Sequence, residues 1–312
     1  MAFSTATPRA TSAPARFGLT VDQLHLLHSR CAGLTLPAEF QSDWAAEITA
    51  DERDERTRAA ELGLIDQGLL RAVLAGEETE ADFAGRVHPA VLGFLRLFTE
   101  PAMYLSVRSW GSGRTIVQTV AVRAGFAAAL VRGQRLDDHG ANPVNEDAVE
   151  LSAFPVTALI SEALRPLLRL EPSRSAAARP TAPASGAVVL PLTLAQGMIG
   201  AIRTGNPEII HGAALEVGLP HAPHVLQAAA FGIDAGYSLA ATTLTGNALA
   251  VHWFRGNAGW FEMSADTPLL DSGGSAIDIA DASRVRVATT NTAAITAQVT
   301  VAVGSLLGVL RG

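Results

Sequence analysis

Asp271-Ser-Gly-Gly274 has the residue types of an acylating serine loop. A serine nucleophile works only with a histidine base and a carboxylate that orients it. Such loops also carry a glycine ahead of the aspartate, where this chain has Leu270, and no flanking segment supplies the partner histidine and aspartate. The tetrapeptide is therefore read as a glycine-rich loop, and a hydrolase built on Ser272 is left without supporting residues. His25-Leu-Leu-His28 and His221-Ala-Pro-His224 each space two histidines by three. Zinc needs three or four ligands, and neither pair has a Cys-x-x-Cys or a glutamate beside it. No metal site is expected. Trp110-Gly-Ser-Gly-Arg-Thr115 lacks both the spacing and the lysine of a phosphate-binding loop, and no Gly-x-Gly-x-x-Gly opens a helix, so no nucleotide cofactor is expected. The carboxylates lie in acidic turns such as Asp137-Asp138 and Glu146-Asp147, with no pair set across a cleft. Chemistry is not what this chain advertises, and no catalytic residue is assigned.

The elements that would carry any site say more. Met103, Leu105 and Val107 alternate with Tyr104, Ser106 and Arg108, the period of a strand with one buried face. Trp110–Arg114 breaks the pattern as a hairpin loop, Ile116–Val122 resumes it, Ala124-Gly125 turns, and Phe126–Arg132 returns. The same order recurs from Tyr237, 134 residues after Met103: strand to Leu244, turn, strand Ala248–Arg255, turn, strand from Trp260. Val91-Leu92 before the first meander matches Val225-Leu226 before the second. Val149–Ser152 and a helical run from Pro155 to Leu170 follow the first; Val285–Ala288 and a run from Thr292 to Leu310 follow the second. A period this long indicates internal duplication, not a solenoid.

Composition sets the frame for these copies. The chain has 312 residues, 48 % hydrophobic and 17 % charged, enough for a sizeable core. All 23 basic residues are arginine, and a net charge of −7 with no basic stripe argues against nucleic acid as the main partner. A single cysteine, Cys31, forms no internal disulfide and fits a reducing cytoplasm. No charge appears between Arg286 and Arg311, but five threonines, Asn291, Gln298 and Ser305 make that run a buried helix and not a membrane span.

Boundaries follow from the same reading. Residues 1–16, rich in Ala, Ser, Thr and Pro, read as a disordered tail without the apolar core of a signal peptide. An N-terminal half spans 17–170, a flexible linker Glu171–Ala187, and a C-terminal half 188–312. Thr20 is set to cap a helix with Gln23 three residues on. Leu34–Phe40 suggests an edge strand, given Pro37. Asp51–Arg56 reads as the solvated face of a helix reaching Leu62, and His88-Pro89 opens another. Leu192–Ile202 and the stretch from Asn206-Pro207 to Gly218 read as further helices, with Met198, Ile202, Ile209 and Ile210 as core.

Leu19–Leu24, Gly63-Leu64, Gln67–Leu70, Gly85–Pro89, Ser109–Arg114, the Pro/Ala linker, Trp253-Phe-Arg-Gly256 and Gly259-Trp260 together resemble the EspG family, cytosolic chaperones of ESX (type VII) secretion. The likeness runs from about Phe17 to Leu310. It implies an α/β (α+β) fold: a pseudo-two-fold, duplicated unit with a central, largely antiparallel twisted sheet flanked by helical bundles, both halves in one domain. It implies a cytoplasmic chaperone, not an enzyme, that binds the apolar tip of a PE–PPE helical heterodimer. On this resemblance the partner surface maps to Trp110, Gly111, Ser112, Gly113 and Arg114, and to helices between Leu192 and Val217. Trp110 and Arg114 suit a binding hot spot, although a tryptophan there also serves by packing over its own sheet. A pseudo-symmetric structural or regulatory module with a different protein partner is the alternative.

Overall fold

A computed structural model describes residues 14–41, 48–73, 83–137, 142–170, 186–246, 248–266 and 283–309. Ten strands form one sheet: β1 (Ala15–Thr20), β2 (Met103–Gly111), β3 (Arg114–Arg123), β4 (Phe126–Leu136), β5 (Pro143–Pro155), β6 (Ala187–Pro191), β7 (Ala235–Thr243), β8 (Ala248–Gly256), β9 (Gly259–Asp266) and β10 (Arg284–Thr290). Their order is β1-β5-β4-β3-β2-β7-β8-β9-β10-β6. From the central pair outward, each side is a three-stranded meander, a fourth strand, and last the strand that began that copy. The repeat read in the sequence thus recurs as strand order. Helices α1 (Val21–Arg30), α2 (Ala50–Asp66), α3 (Phe83–Arg86) and α4 (Pro89–Arg96) lie between β1 and β2. α5 (Leu159–Leu168) follows β5; α6 (Leu192–Thr204), α7 (Pro207–Glu216) and α8 (His224–Ala230) precede β7; α9 (Thr292–Val309) follows β10.

Two compact units are distinguished. One holds residues up to Tyr104 with Thr119–Arg132 and Glu146–Leu159; the other holds Leu105–Gln118, Gly133–Asn145 and the chain from Ile160. In the first, Leu24, Leu27, Leu64, Val91, Leu95 and Phe98 pack with the sheet residues Ala128, Leu130 and Leu151. Here Ala15 and Arg16 leave the expected tail. They open β1, which pairs with β5 from Ala15↔Ala153 to Thr20↔Ala148, and Arg16 reaches Glu150 at 2.6 Å. Phe17 and Leu19 alternate as a strand should, but six residues beside a polar tail are a faint signal. Thr20 ends β1 and caps α1 as expected: its hydroxyl accepts from Gln23 N at 3.1 Å, and Gln23 Oε1 accepts from Thr20 N at 2.9 Å. Thr20→Ala should lower stability by about 1 kcal/mol; an unchanged denaturation midpoint would show that the box does not hold this junction.

Leu34–Phe40 is not an edge strand. Leu34, Leu36 and Phe40 are buried, so the alternation is real, but Ala38–Phe40 forms a 3₁₀ turn. With no strand alongside, side chains satisfy its carbonyls: Gln41 Nε2 donates to Leu36 O at 2.8 Å and Arg132 Nη1 to Glu39 O at 3.3 Å. α2 runs past Leu62 to Asp66, with Glu52 and Arg56 paired at 3.1 Å. His88 Nδ1 caps α4 by accepting from Ala90 N at 3.2 Å, ahead of Pro89.

In the second unit, Leu190, Met198, Ile202, Val225, Leu226, Phe261, Val285 and Val287 form the core. Residues 171–185 of the expected linker lie outside the described residues, but Ala187 is already strand. β6 pairs antiparallel with β10. Leu192 N donates to Ser283 O and Thr289 N to Gly186 O, which turns the backbone groups of the even-numbered residues towards β10. Pro191 therefore faces away from β10, where its missing N–H interrupts no ladder bond. In α9, Ile295, Val299, Val303 and Leu306 are buried four and three residues apart. Among the described residues no helix is long and apolar enough to cross a membrane.

Candidate protein-docking site

The residues lining both grooves described here belong to the second unit. β2 buries Leu105, Val107 and Ser109 and turns Arg108 and Trp110 to the other side. The hairpin that follows is shorter than the sequence suggests. Trp110 and Gly111 finish β2, Arg114 opens β3, and only Ser112 and Gly113 make the turn, with φ of 53° and 76°. Two consecutive left-handed residues make the primed turn whose twist matches the flanking strands. Glycine takes that conformation freely; serine does so at a small cost.

Trp110 lies across β7 at Gly236. A Cβ on Gly236 would overlap the indole ring, so glycine is what allows the tryptophan to lie flat on the backbone. The ring is still 40 % exposed. It packs on the sheet, one of the two roles the sequence left open, and still shows a face to solvent. That face is one wall of a groove of about 330 Å³, lined by Trp110–Thr115, Gln134, Arg135, Leu136, Pro143 and Asp234. Leu136 is 49 % exposed, and Val144 and Ile233, next in sequence to lining residues, are exposed too. Arg114 and Arg135 are exposed. Opposite, Arg255 grips the Asp234 carboxylate through Nε at 2.8 Å and Nη2 at 3.3 Å, and its guanidinium lies 5.8 Å from the Trp260 ring centre. The result is an apolar floor with a charged rim, the anatomy of a protein-binding patch.

A second groove, of about 440 Å³, runs between α6 and α7. Gly205, at φ 68°, ends α6, and the Asn206 side chain accepts from Glu208 N at 2.9 Å to start α7. Gly197, Ala201, Gly212 and Ala213 keep its walls low. Met198 and Ile202 are core as expected and Ile210 is half-buried, but Ile209 is 49 % exposed on the groove. This corrects the expectation of Ile209 as core.

Among the described residues the reactive candidates form no assembled centre. Asp271–Gly274 and Asp138 lie outside the described residues. Among the described residues no three His, Cys, Asp or Glu side chains group as metal ligands. Burial, then the nearby His28, lowers the pKa of His25 in the first unit, and burial raises that of the Cys31 thiol there. Tyr237 is driven far up by burial, and its hydroxyl donates to Ala163 O at 2.9 Å. It is a structural donor.

The sequence reading missed Leu136, Pro143 and Asp234. Leu136 continues the β4 alternation two pairs beyond Arg132, a signal that was available. Asp234 joins the groove because β7 lies beside β2, which local pattern does not disclose.

No protein-family model matches this chain, and no curated protein does. Its fold does have a solved counterpart. The Mycobacterium tuberculosis type VII secretion chaperone EspG5, solved in complex with a PE25–PPE41 dimer, is similar with a TM-score of 0.59. The match covers 92 % of this chain and 95 % of that one at 10 % identity. Likeness at that identity shows a shared fold of a large antiparallel sheet flanked by helices.

Proposed function

We propose that this chain is a cytoplasmic chaperone of a type VII secretion system that holds the apolar tip of a PE–PPE helical heterodimer. The observation that carries the reading is an exposed apolar groove around Trp110, in a chain that shares its fold over nearly its full length with a chaperone bound to such a dimer. The groove supplies what the task needs. Its floor of Trp110, Leu136 and Pro143 takes an apolar helix tip out of water, and its charged rim keeps the empty surface hydrated. Release then requires only that the tip find a better cover, because no covalent step is involved. The groove between α6 and α7 is a second patch for the same partner.

Co-expression with the PE–PPE pairs of the same genome, followed by size exclusion, tests the proposal. A stoichiometric complex with at least one pair is the expected result. Separate elution of every pair would overturn it and favour a structural or regulatory module with another protein partner.

A further inference from the structure

The groove between α6 and α7 is lined at helical spacing from both sides. Leu194, Met198 and Ala201 stand four and three residues apart on α6, and Ile209, Ala213 and Glu216 do the same on α7. Only Gly205 and Asn206 separate the two helices, so they run side by side in opposite directions. Two helices that share an open apolar seam are the seat of a third. α6 has 13 residues and α7 has 10. At 1.5 Å per residue the seat is about 15–20 Å long, roughly three helical turns.

Gly197 and Gly212 stand on the two walls of this seam. Neither has a positive φ, and a Cβ added to either would meet nothing within 4 Å. Glycine weakens a helix interior relative to alanine, and no described residue occupies the space it leaves. The low walls instead suit a helix from outside, whose axis can then approach to about 8 Å. Met198 is buried at the floor, while Ile209 is 49 % exposed on the rim, an apolar side chain still open to a partner.

Charge narrows the choice of occupant. Glu216, at the end of α7, is the one charged side chain among the described lining residues. Arg203 of α6 turns away to donate from Nε to Ala230 O at 3.1 Å, and Glu208 and His211 of α7 do not line the groove. Glu216 is exposed and makes no ion pair among the described residues. A single carboxylate at the end of an uncharged seam is complementary to a single cation at the matching end of a guest.

We propose that the groove between α6 and α7 seats one three-turn helix of the PE–PPE heterodimer, a helix that turns large apolar side chains into the seam and a lysine or arginine to Glu216. The identity of the partner rests on the function proposed above; the length, shape and charge of its helix follow from the groove.

Titration calorimetry of the full chain with the co-eluting heterodimer tests this. Gly212→Leu fills the seam and should weaken affinity about tenfold or more, with a melting temperature at or above that of the wild type. Glu216→Arg should weaken affinity about tenfold and Glu216→Gln by less, and added salt should shrink the difference between wild type and Glu216→Gln. Wild-type affinity in Gly212→Leu overturns the seat, and unchanged or tighter binding in Glu216→Arg overturns the cation. A self-dimer of the wild-type chain that Gly212→Leu breaks would give the groove to a second copy and overturn the inference as well. If the wild-type chain binds no heterodimer, the proposed function falls and takes the occupant with it. If the complex forms and tolerates both substitutions, the proposed function stands and only the seat falls.

Discussion

Trp253→Ala should lower the free energy of unfolding by about 3–5 kcal/mol. The residue sits on β8 at 2 % exposure, among the largest fully buried side chains, with its ring centre 5.6 Å from that of Tyr237. Its indole N–H donates to Gln298 Oε1 at 3.0 Å, and Gln298 Nε2 donates to Glu262 Oε2 at 2.7 Å. Glu262 in turn pairs with Arg286 at 3.3 Å. One side chain therefore supplies apolar burial and the first link of a polar chain that ties α9 to β9 and β10. Trp253→Phe separates the contributions. It keeps most of the burial and strands Gln298 Oε1, for an expected loss of about 1–3 kcal/mol. Denaturant titrations of the three proteins measure both effects. A cost below about 1 kcal/mol for Trp253→Ala would mean that the network does not fasten α9.

Trp110→Ala should weaken binding of the proposed PE–PPE partner by about thirtyfold or more, ~2 kcal/mol, with a smaller change in stability. A half-exposed ring on a rigid bed is well suited to binding, because little side-chain freedom is lost when a partner arrives. Gly236→Ala gives an independent check. Its Cβ would overlap the indole and lift the tryptophan from the sheet while leaving it in the sequence. Affinity should fall there too, although no contact residue is removed. Titration calorimetry with the co-eluting heterodimer reads both variants. Wild-type affinity in Trp110→Ala would move the binding surface elsewhere, with the groove between α6 and α7 as the next place to mutate.

Much of the fold was legible because its signals are local. Alternation marked both meanders, Thr20 and Gln23 announced a capping box, and His88-Pro89 a helix start. The duplicated element order recurs in the sheet, although no strand order was read from the sequence. What escaped is non-local. β1 and β6 are short edge strands beside segments of tail-like and linker-like composition, and Arg16 finds Glu150 across 134 residues. Edge strands need only one buried side, so their hydrophobic pattern is thin. Leu34–Phe40 shows the converse, an alternating stretch with no strand to pair with. At the candidate site, the sequence read Trp110–Arg114 as a five-residue loop, since glycines and a polar serine look alike whether they make a loop or a tight turn. Asp234 and Pro143 come from remote segments, and no spacing links them to Trp110.

Pro191 bears on how the protein behaves when crowded. An unguarded sheet margin is a seed on which further chains can add, layer after layer, into fibres. By putting an imino acid on the outer side of β6, the sequence denies an incoming strand one of the anchor points it would need. A molecule with an exposed oily groove is under steady pressure to clump, and a blunted margin removes one route by which it would.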